Sequence, residues 1–506
     1  MKLRSGLIVT IFASLLLSIL HCPLFEILFD DKEIFKYTGL VMAKGGVPYR
    51  DFFDHKPPII YFINFLGFVS GRWGLWIFDA SLVLFATIAF FKTCERHKIS
   101  FPWILPCIFN LMLRNHTVSV GIGMTREYTT IFILLFFCTM LGNSKFRFYI
   151  LGLLTSLVFF TQQDQVLPLI PLVFYAFLSD KNIHYPSVPA RILTFTIGSL
   201  LIPLVLCFYF LLNNSLLLFW EDAFLFNFNW YNEKMPLSLH LKAIMHALDV
   251  CSFDVIFYGS CILGLASLAT GNRKTGLLLV NLLAVALSFS SEILSGKLIS
   301  GLPVSYYFLP LAATLPLLLF TVFGYSKRLI EKESLHILVY AGILSFGLFY
   351  HMCSYAANLS NNRSKWIAPL PEYEFLQSQN LKDFDLFIFN NSNYLYLYND
   401  FKILSPSKWI YHHFWRWYPE WDRDKSKIQS ITMDLSKHKT RFILDFSDST
   451  SFKNAEIYKH WKSFVENKYR RVPAQSGTKN VLWELNQEKI YGTDTINYDR
   501  PATFQQ

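Results

Sequence analysis

The chain has 506 residues, of which 53% are hydrophobic and 16% charged, with 50 Phe; so apolar a composition excludes an ordinary soluble globular protein and points to lipid as the solvent. A formal net charge of +10 would suit a nucleic-acid binder, but the basic residues fall in short loops between apolar runs rather than in one patch, so no nucleic-acid partner is expected and the charge is read as a topology signal. The 8 Cys lie in or beside apolar segments and the polar tail has none, so no disulfide framework or cysteine-based zinc site is implied.

The N-terminal run MKLRSGLIVTIFASLLLSIL has the basic start and apolar body of a signal peptide but no small-x-small cleavage site after it, and is read as a retained first helix. Apolar segments follow near 74–92, 100–114, 125–141, 148–162, 164–178, 192–213, 252–270, 276–292, 305–323 and 335–352. With the first, near 6–28, they predict about eleven transmembrane helices. Alternate loops carry Lys92, Arg96 and Lys98; Lys145 and Arg147; Lys181 and Arg191; Arg273 and Lys274; and Lys327, Arg328 and Lys332. With Lys2 and Arg4, this positive-inside pattern puts those loops and the N-terminus in the cytoplasm. The opposite loops, 30–73, 115–124, 162–165, 214–250 and 293–304, then converge on the outer face. The expected fold class is thus an α-helical polytopic membrane protein of the inner, cytoplasmic membrane, with its membrane module at 1–352 and a small extracytoplasmic α/β domain at 353–506. In that tail DLFIFNN and RFILDF read as strands, whereas KSKIQSITMDLSKHK and AEIYKHWKSFVENKYRR have helical spacing.

Chemistry is densest in the first outer loop, FDDKEIFKYTGLVMAKGGVPYRDFFDHKPPIIYFINFLG. It gathers Asp30, Asp31, Glu33, Arg50, Asp51, Asp54, His55 and Lys56 among aromatic residues. A solvated connecting loop would carry mixed charges too. Here, however, the charges sit where the first helix is expected to leave the membrane and just before Pro57, a helix-starting residue beside which free backbone amides and Lys56 suit an anion.

The Asp at the end of the first span, then GGVPYRD, then DHKPP before an aromatic-rich helix, resembles the GT-C class of membrane glycosyltransferases, and within it the bacterial family of protein O-mannosyltransferases and lipid A aminoarabinose transferases. GMTREYTTIF resembles the segment opening that family's fourth helix, FFTQQDQVLPLIP its polar helix break, and SGKLISGLPVSYYFLPL its late outer loop. The resemblance implies transfer of a sugar from a polyprenyl-phosphate donor to a lipid, glycan or protein acceptor on the outer face. By motif, Asp31 becomes the catalytic base, with Asp30 as the alternative, and Lys56 holds the departing phosphate, with Lys297 and Arg126 as further cations. Asp51, Asp54, His55, Glu127 and Tyr306 are substrate-pocket candidates.

The chain also departs from the pattern. Lys32 follows Asp31 where some relatives have Glu, His55 stands where they have an acidic residue before KPP, and Pro303, Val304 and Ser305 precede Tyr306 where a His is common. A divalent metal is the one cofactor considered. Asp54 and His55 are its candidate ligands, though such a pair more often forms an ordinary hydrogen-bonded couple. Glu127 is expected either to pair locally with Arg126 or to meet substrate. A polytopic lipid or glycan transporter is the competing class; it would place ionisable residues near the midplane and often shows repeated halves, neither of which this sequence has.

Overall fold

In the computed structural model the described residues are 2–24, 30–115, 121–179, 187–231, 254–269, 275–295, 298–299, 302–303, 305–325, 371–410, 412, 415, 421–447, 452, 454–473 and 481–486. The chain divides into two compact units, Met1–Ala368 and Pro369–Gln506. The domain boundary expected at 352/353 and the expected span at 335–352 lie outside the described residues.

The first unit is helical: α1 Lys2–Ile19, α2 Asp30–Ala43, α3 Ile59–Val69, α4 Gly74–Arg96, α5 Ile104–Leu113, α6 Thr125–Met140, α7 Arg147–Thr161, α8 Leu169–Ser179, α9 Val188–Leu212, α10 Leu216–Trp220, α11 Asp254–Ala269, α12 Thr275–Ser295 and α13 Leu311–Tyr325. Of these, α4 and α9 are long and apolar enough to cross a bilayer by length and composition; the other apolar helices have shorter apolar stretches, of 10–17 residues. Along α9 the side chains of Leu193, Ile197, Leu204, Phe208 and Leu211 are all exposed. Apolar side chains turned outward over the length of so long a helix suit lipid as the surround, as expected of a membrane-bound protein.

At the centre lies α6, buried along nearly its whole length, with α4, α7, α8 and α13 packed around it. Beside it α7 and α9 cross backbone to backbone. A Cβ at Gly152 would collide with the Phe195 carbonyl oxygen, and one at Gly198 with that of Tyr149, the small-residue contact by which helices pack in lipid.

One sequence expectation changes here. In the segment read as the first outer loop, the helix expected after Pro57 is present as α3, but residues read as loop before it form a second helix, α2, joined to α3 by residues 44–58. Helix α1 ends at Ile19, ahead of Pro23, and Asp31 sits in the first turn of α2 rather than at the exit of the first span. The apolar residues Ile34, Phe35, Tyr37, Leu40 and Val41 recur at helical spacing on a buried face, a pattern masked in the sequence by the charges around them.

The second unit holds a four-stranded sheet of order β3-β4-β6-β5, with β3 Leu386–Phe389, β4 Phe442–Asp445, β5 Tyr469–Arg471 and β6 Val481–Leu485; β1 Leu298–Ile299 and β2 Leu302–Pro303 form a small ladder in the first unit. Strands β3 and β4 are parallel and the remaining pairs antiparallel. Helices α14 Pro371–Ser378, α15 Tyr396–Phe401, α16 Ser426–His438 and α17 Ala455–Lys468 complete the unit. The described residues of the aromatic stretch KWIYHHFWRWYPEW contribute to this unit's core. Trp415 is buried, stacks on His412 at 5.5 Å and donates its Nε1–H to Asp422 at 3.1 Å. Asp422 in turn accepts the backbone amides of Lys427 and Ile428, satisfying amides at the start of α16.

The tight crossing makes a prediction. Gly152→Ala and Gly198→Ala should each push α7 and α9 apart at a cost of about 1–3 kcal/mol, seen as a lower thermal-unfolding midpoint in detergent. Gly259→Ala, where an added Cβ meets nothing within 4 Å, should leave the midpoint unchanged or raise it. A native midpoint in both crossing variants would contradict the packing.

Candidate active site

Helices α2 and α3 run side by side in the same direction, with Phe35 against Tyr61 at 6.4 Å between ring centroids and Gly39 so close to Asn64 that a Cβ there would meet its carbonyl oxygen at 2.7 Å. Their N-termini therefore lie at one end, which brings the α2 turn carrying Asp31 to the same end as Lys56 just before α3. Asp31 is half-buried in that turn; the side chain of Asp30 lies outside the described residues.

The connection 44–58 is rigidly held. Tyr49, buried, has φ 68, a left-handed conformation that a bulky residue adopts only under local constraint. Its hydroxyl and that of Tyr61 both donate to the Lys56 carbonyl, at 2.8 and 2.9 Å, and so fix the backbone from which the Lys56 ammonium extends. Asp51, a pocket candidate, closes the GGVPYRD turn by accepting the Val47 amide at 2.7 Å and pairs with Arg50 at 2.7 Å. Asp54 and His55 are buried and engage each other: Asp54 Oδ1 accepts the His55 amide at 2.7 Å and lies 3.3 Å from His55 Nδ1. Burial opposes ionisation of Asp54, but the hydrogen bond and charge of His55, with the charge of Lys56, outweigh it and hold the carboxyl below its ordinary range. Among the described residues no group of three metal-ligating side chains gathers, and Asp54 and His55 form a two-residue couple.

Other segments close on the same place. The His55 carbonyl accepts from Asn227 Nδ2 at 2.8 Å, and that amide lies 3.4 Å from Gln163 Oε1. Next to Gln163, Asp164 accepts from Gln162 at 2.6 Å, Gln165 at 2.8 Å and Arg126 at 3.2 Å. Arg126 also donates to the Tyr307 carbonyl at 3.3 Å, with its guanidinium 4.2 Å from the centre of the Tyr307 ring. Two hydrogen-bonded sets, one joining His55, Gln163 and Asn227 and the other Arg126, Gln162, Asp164, Gln165 and Tyr307, meet at the adjacent residues Gln163 and Asp164, so five stretches distant in sequence come together. They include His55 and Arg126 of the expected site residues. Lys297 and the Tyr306 side chain lie outside the described residues.

The local ion pair considered between Arg126 and Glu127 gives way to separate partners. Neighbouring helix residues diverge by roughly 100°, so Arg126 turns to Asp164 while Glu127 turns into the protein and pairs with Arg114, whose other nitrogen holds Asp79. Asp79 and Arg114 were not among the residues expected from sequence. Their signal was legible as ionisable residues within or at the end of apolar spans, which demand buried partners. Glycines at 121 and 123 fit the turn entering α6. Gly121 has φ 114 and lies against the Lys32 ammonium, and the Gly123 carbonyl accepts from Asn64 at 3.2 Å.

Since the native state holds Asp54 ionised below its ordinary range, its contribution to stability is present above about pH 4 and lost as pH falls through the lower folded value. Asp54→Asn should flatten the loss of thermal stability on acidification below about pH 4. An acid branch identical in both proteins would show that Asp54 contributes nothing there.

No family model matches the chain, and no curated protein matches it. Solved structures do. ArnT from Cupriavidus metallidurans bound to undecaprenyl phosphate aligns over 95% of this chain and 98% of its own, at 11% identity and TM-score 0.52. The apo form of the same protein aligns over 64% of this chain and 60% of its own, at 12% identity and TM-score 0.46. An oligosaccharyltransferase from Archaeoglobus fulgidus, tethered to an acceptor peptide containing the NVT sequon, aligns over 96% of this chain and 74% of its own, at 11% identity and TM-score 0.42. With the full-length alignment to the lipid-bound ArnT structure, the chain is shown to have the GT-C glycosyltransferase fold.

Proposed function

We propose that this protein is a glycosyltransferase that moves a single sugar from a polyprenyl-phosphate donor to a lipid, glycan or protein acceptor at the outer face of the cytoplasmic membrane. The observation that carries the reading is the placement of the α2 turn bearing Asp31 and the tyrosine-braced Lys56 segment at one end of two parallel helices, beside the network that holds Arg126. The fold, shared with a transferase that binds undecaprenyl phosphate, supports it.

In this reading Asp31 takes the proton from an acceptor hydroxyl as its oxygen attacks the anomeric carbon. The new C–O bond forms as the bond from that carbon to the phosphate oxygen breaks. The electron pair leaves on the lipid phosphate, and attack from the opposite face inverts the configuration. Lys56 and Arg126 stabilise the charge that grows on the phosphate. Asp31 is half-buried in the first turn of α2, which limits water in competition with the acceptor. The lysine and arginine loops support the proposed orientation, with the N-terminus cytoplasmic and the Pro369–Gln506 unit outside.

The test is transfer of radiolabelled sugar from a panel of synthetic polyprenyl-phosphate sugars by the purified protein in lipid. The unaltered chain should transfer from one donor class. Asp31→Ala should lose that turnover by at least about a hundredfold, and Lys56→Ala should lose it together with donor affinity. Full activity of Asp31→Asn with loss in Asp30→Asn would move the base by one residue. Tight binding of a lipid-linked glycan without turnover of any donor would replace the reading with transport.

A further inference from the structure

Four charged residues, none meeting solvent, line up from the α2 terminus into the helical core. Lys32 is 3% exposed, Glu127, Arg114 and Asp79 each 0%. Arg114 bridges the two carboxylates, and Lys32 is within electrostatic reach of Glu127. The set is neutral, two positive and two negative, as buried charges require. It joins α4, the end of α5, the start of α6 and the first turn of α2. The Lys32 ammonium is seated against Gly121, where even a Cβ would approach it to 2.9 Å.

We propose that Lys32 is a positioning residue: its ammonium, seated against Gly121 in the turn entering α6 and within electrostatic reach of the Arg114-held Glu127 carboxylate, pins the first turn of α2 and so sets where Asp31 stands over the reacting sugar. The proposal rests on Asp31 being the base of the transfer reaction. Lys32 is one residue from Asp31 and buried on a different side of the helix, so it fixes the turn without meeting substrate.

Removing the ammonium has two separable effects. Lys32→Met leaves one buried carboxylate uncompensated and should lower both thermal midpoint and turnover. Lys32→Met combined with Asp79→Asn restores neutrality and should return the midpoint toward that of the unaltered chain. In this double variant kcat should still be reduced by about ten- to a hundredfold, with the KM for the polyprenyl-phosphate donor within about twofold, since the phosphate-holding cations are untouched. Should the double variant not fold, Gly121→Ala keeps all four charges while displacing the Lys32 ammonium; because φ 114 also strains an alanine there, it is read against Gly123→Ala, at φ 94 in the same turn, and should lower kcat further than that control with the same unchanged donor KM. Recovery of kcat along with stability in the double variant, or native kcat in Gly121→Ala, would reduce Lys32 to a neutralising charge and overturn the proposal. Absence of transfer by the unaltered chain would instead sink the glycosyltransferase reading, and the role of Lys32 with it.

Discussion

The arrangement of the membrane unit depends on one buried guanidinium. Arg114, at the end of α5, holds Asp79 of α4 with one nitrogen and Glu127 of α6 with another, all three out of contact with solvent. In a medium that cannot solvate charge, each of these groups would cost several kcal/mol alone, on the order of 3 by insertion scales. Only the joint geometry makes them tolerable. Three helices are thereby tied at the level where α6 starts, and the start of α6 is where Arg126 reaches Asp164 and Tyr307.

From that tie the rest of the site can be followed outward by contacts. The turn entering α6 meets α2 at Lys32 and α3 at Asn64. Helices α2 and α3, laid parallel by the close approach at Gly39, bring Asp31 and Lys56 to the same end. The Lys56 backbone is fixed twice, by tyrosines from two segments, and the His55 backbone by Asn227. Rigid backbone under a charged side chain is the general requirement for stabilising charge that appears only in a transition state. It is met here by hydrogen bonds to the His55 and Lys56 carbonyls.

Much of this was legible in the sequence, for physical reasons that differ from residue to residue. Apolar run length located α4 and α9, because lipid thickness sets a minimum helix. The polar interruption at Gln162–Gln165 located the break between α7 and α8, since unpaired backbone and amide groups in lipid must line protein or a cavity. Helix α2 was missed because Asp30, Asp31, Lys32, Glu33 and Lys36 overrode the helical spacing of its apolar face, so it was taken as loop. The partner of Glu127 was missed because spatial pairing across 13 residues cannot be read from neighbours; local sequence suggested Arg126, and helix geometry assigned Arg114. By composition alone the tail's aromatic stretch KWIYHHFWRWYPEW suits contact with lipid or an acceptor and packing equally. For Trp415 and His412 the sheet beneath them decides for the core.

The most direct measurement of the account is an experimental structure of the protein with undecaprenyl phosphate bound in a lipid nanodisc. The account requires the phosphate to sit at the common end of α2 and α3, within hydrogen-bond distance of the Lys56 ammonium or the Arg126 guanidinium, with the Asp31 carboxylate facing the same space. A phosphate seated between Arg147 and Arg191, or one at the α2 end with Asp31 turned away from it, would contradict it.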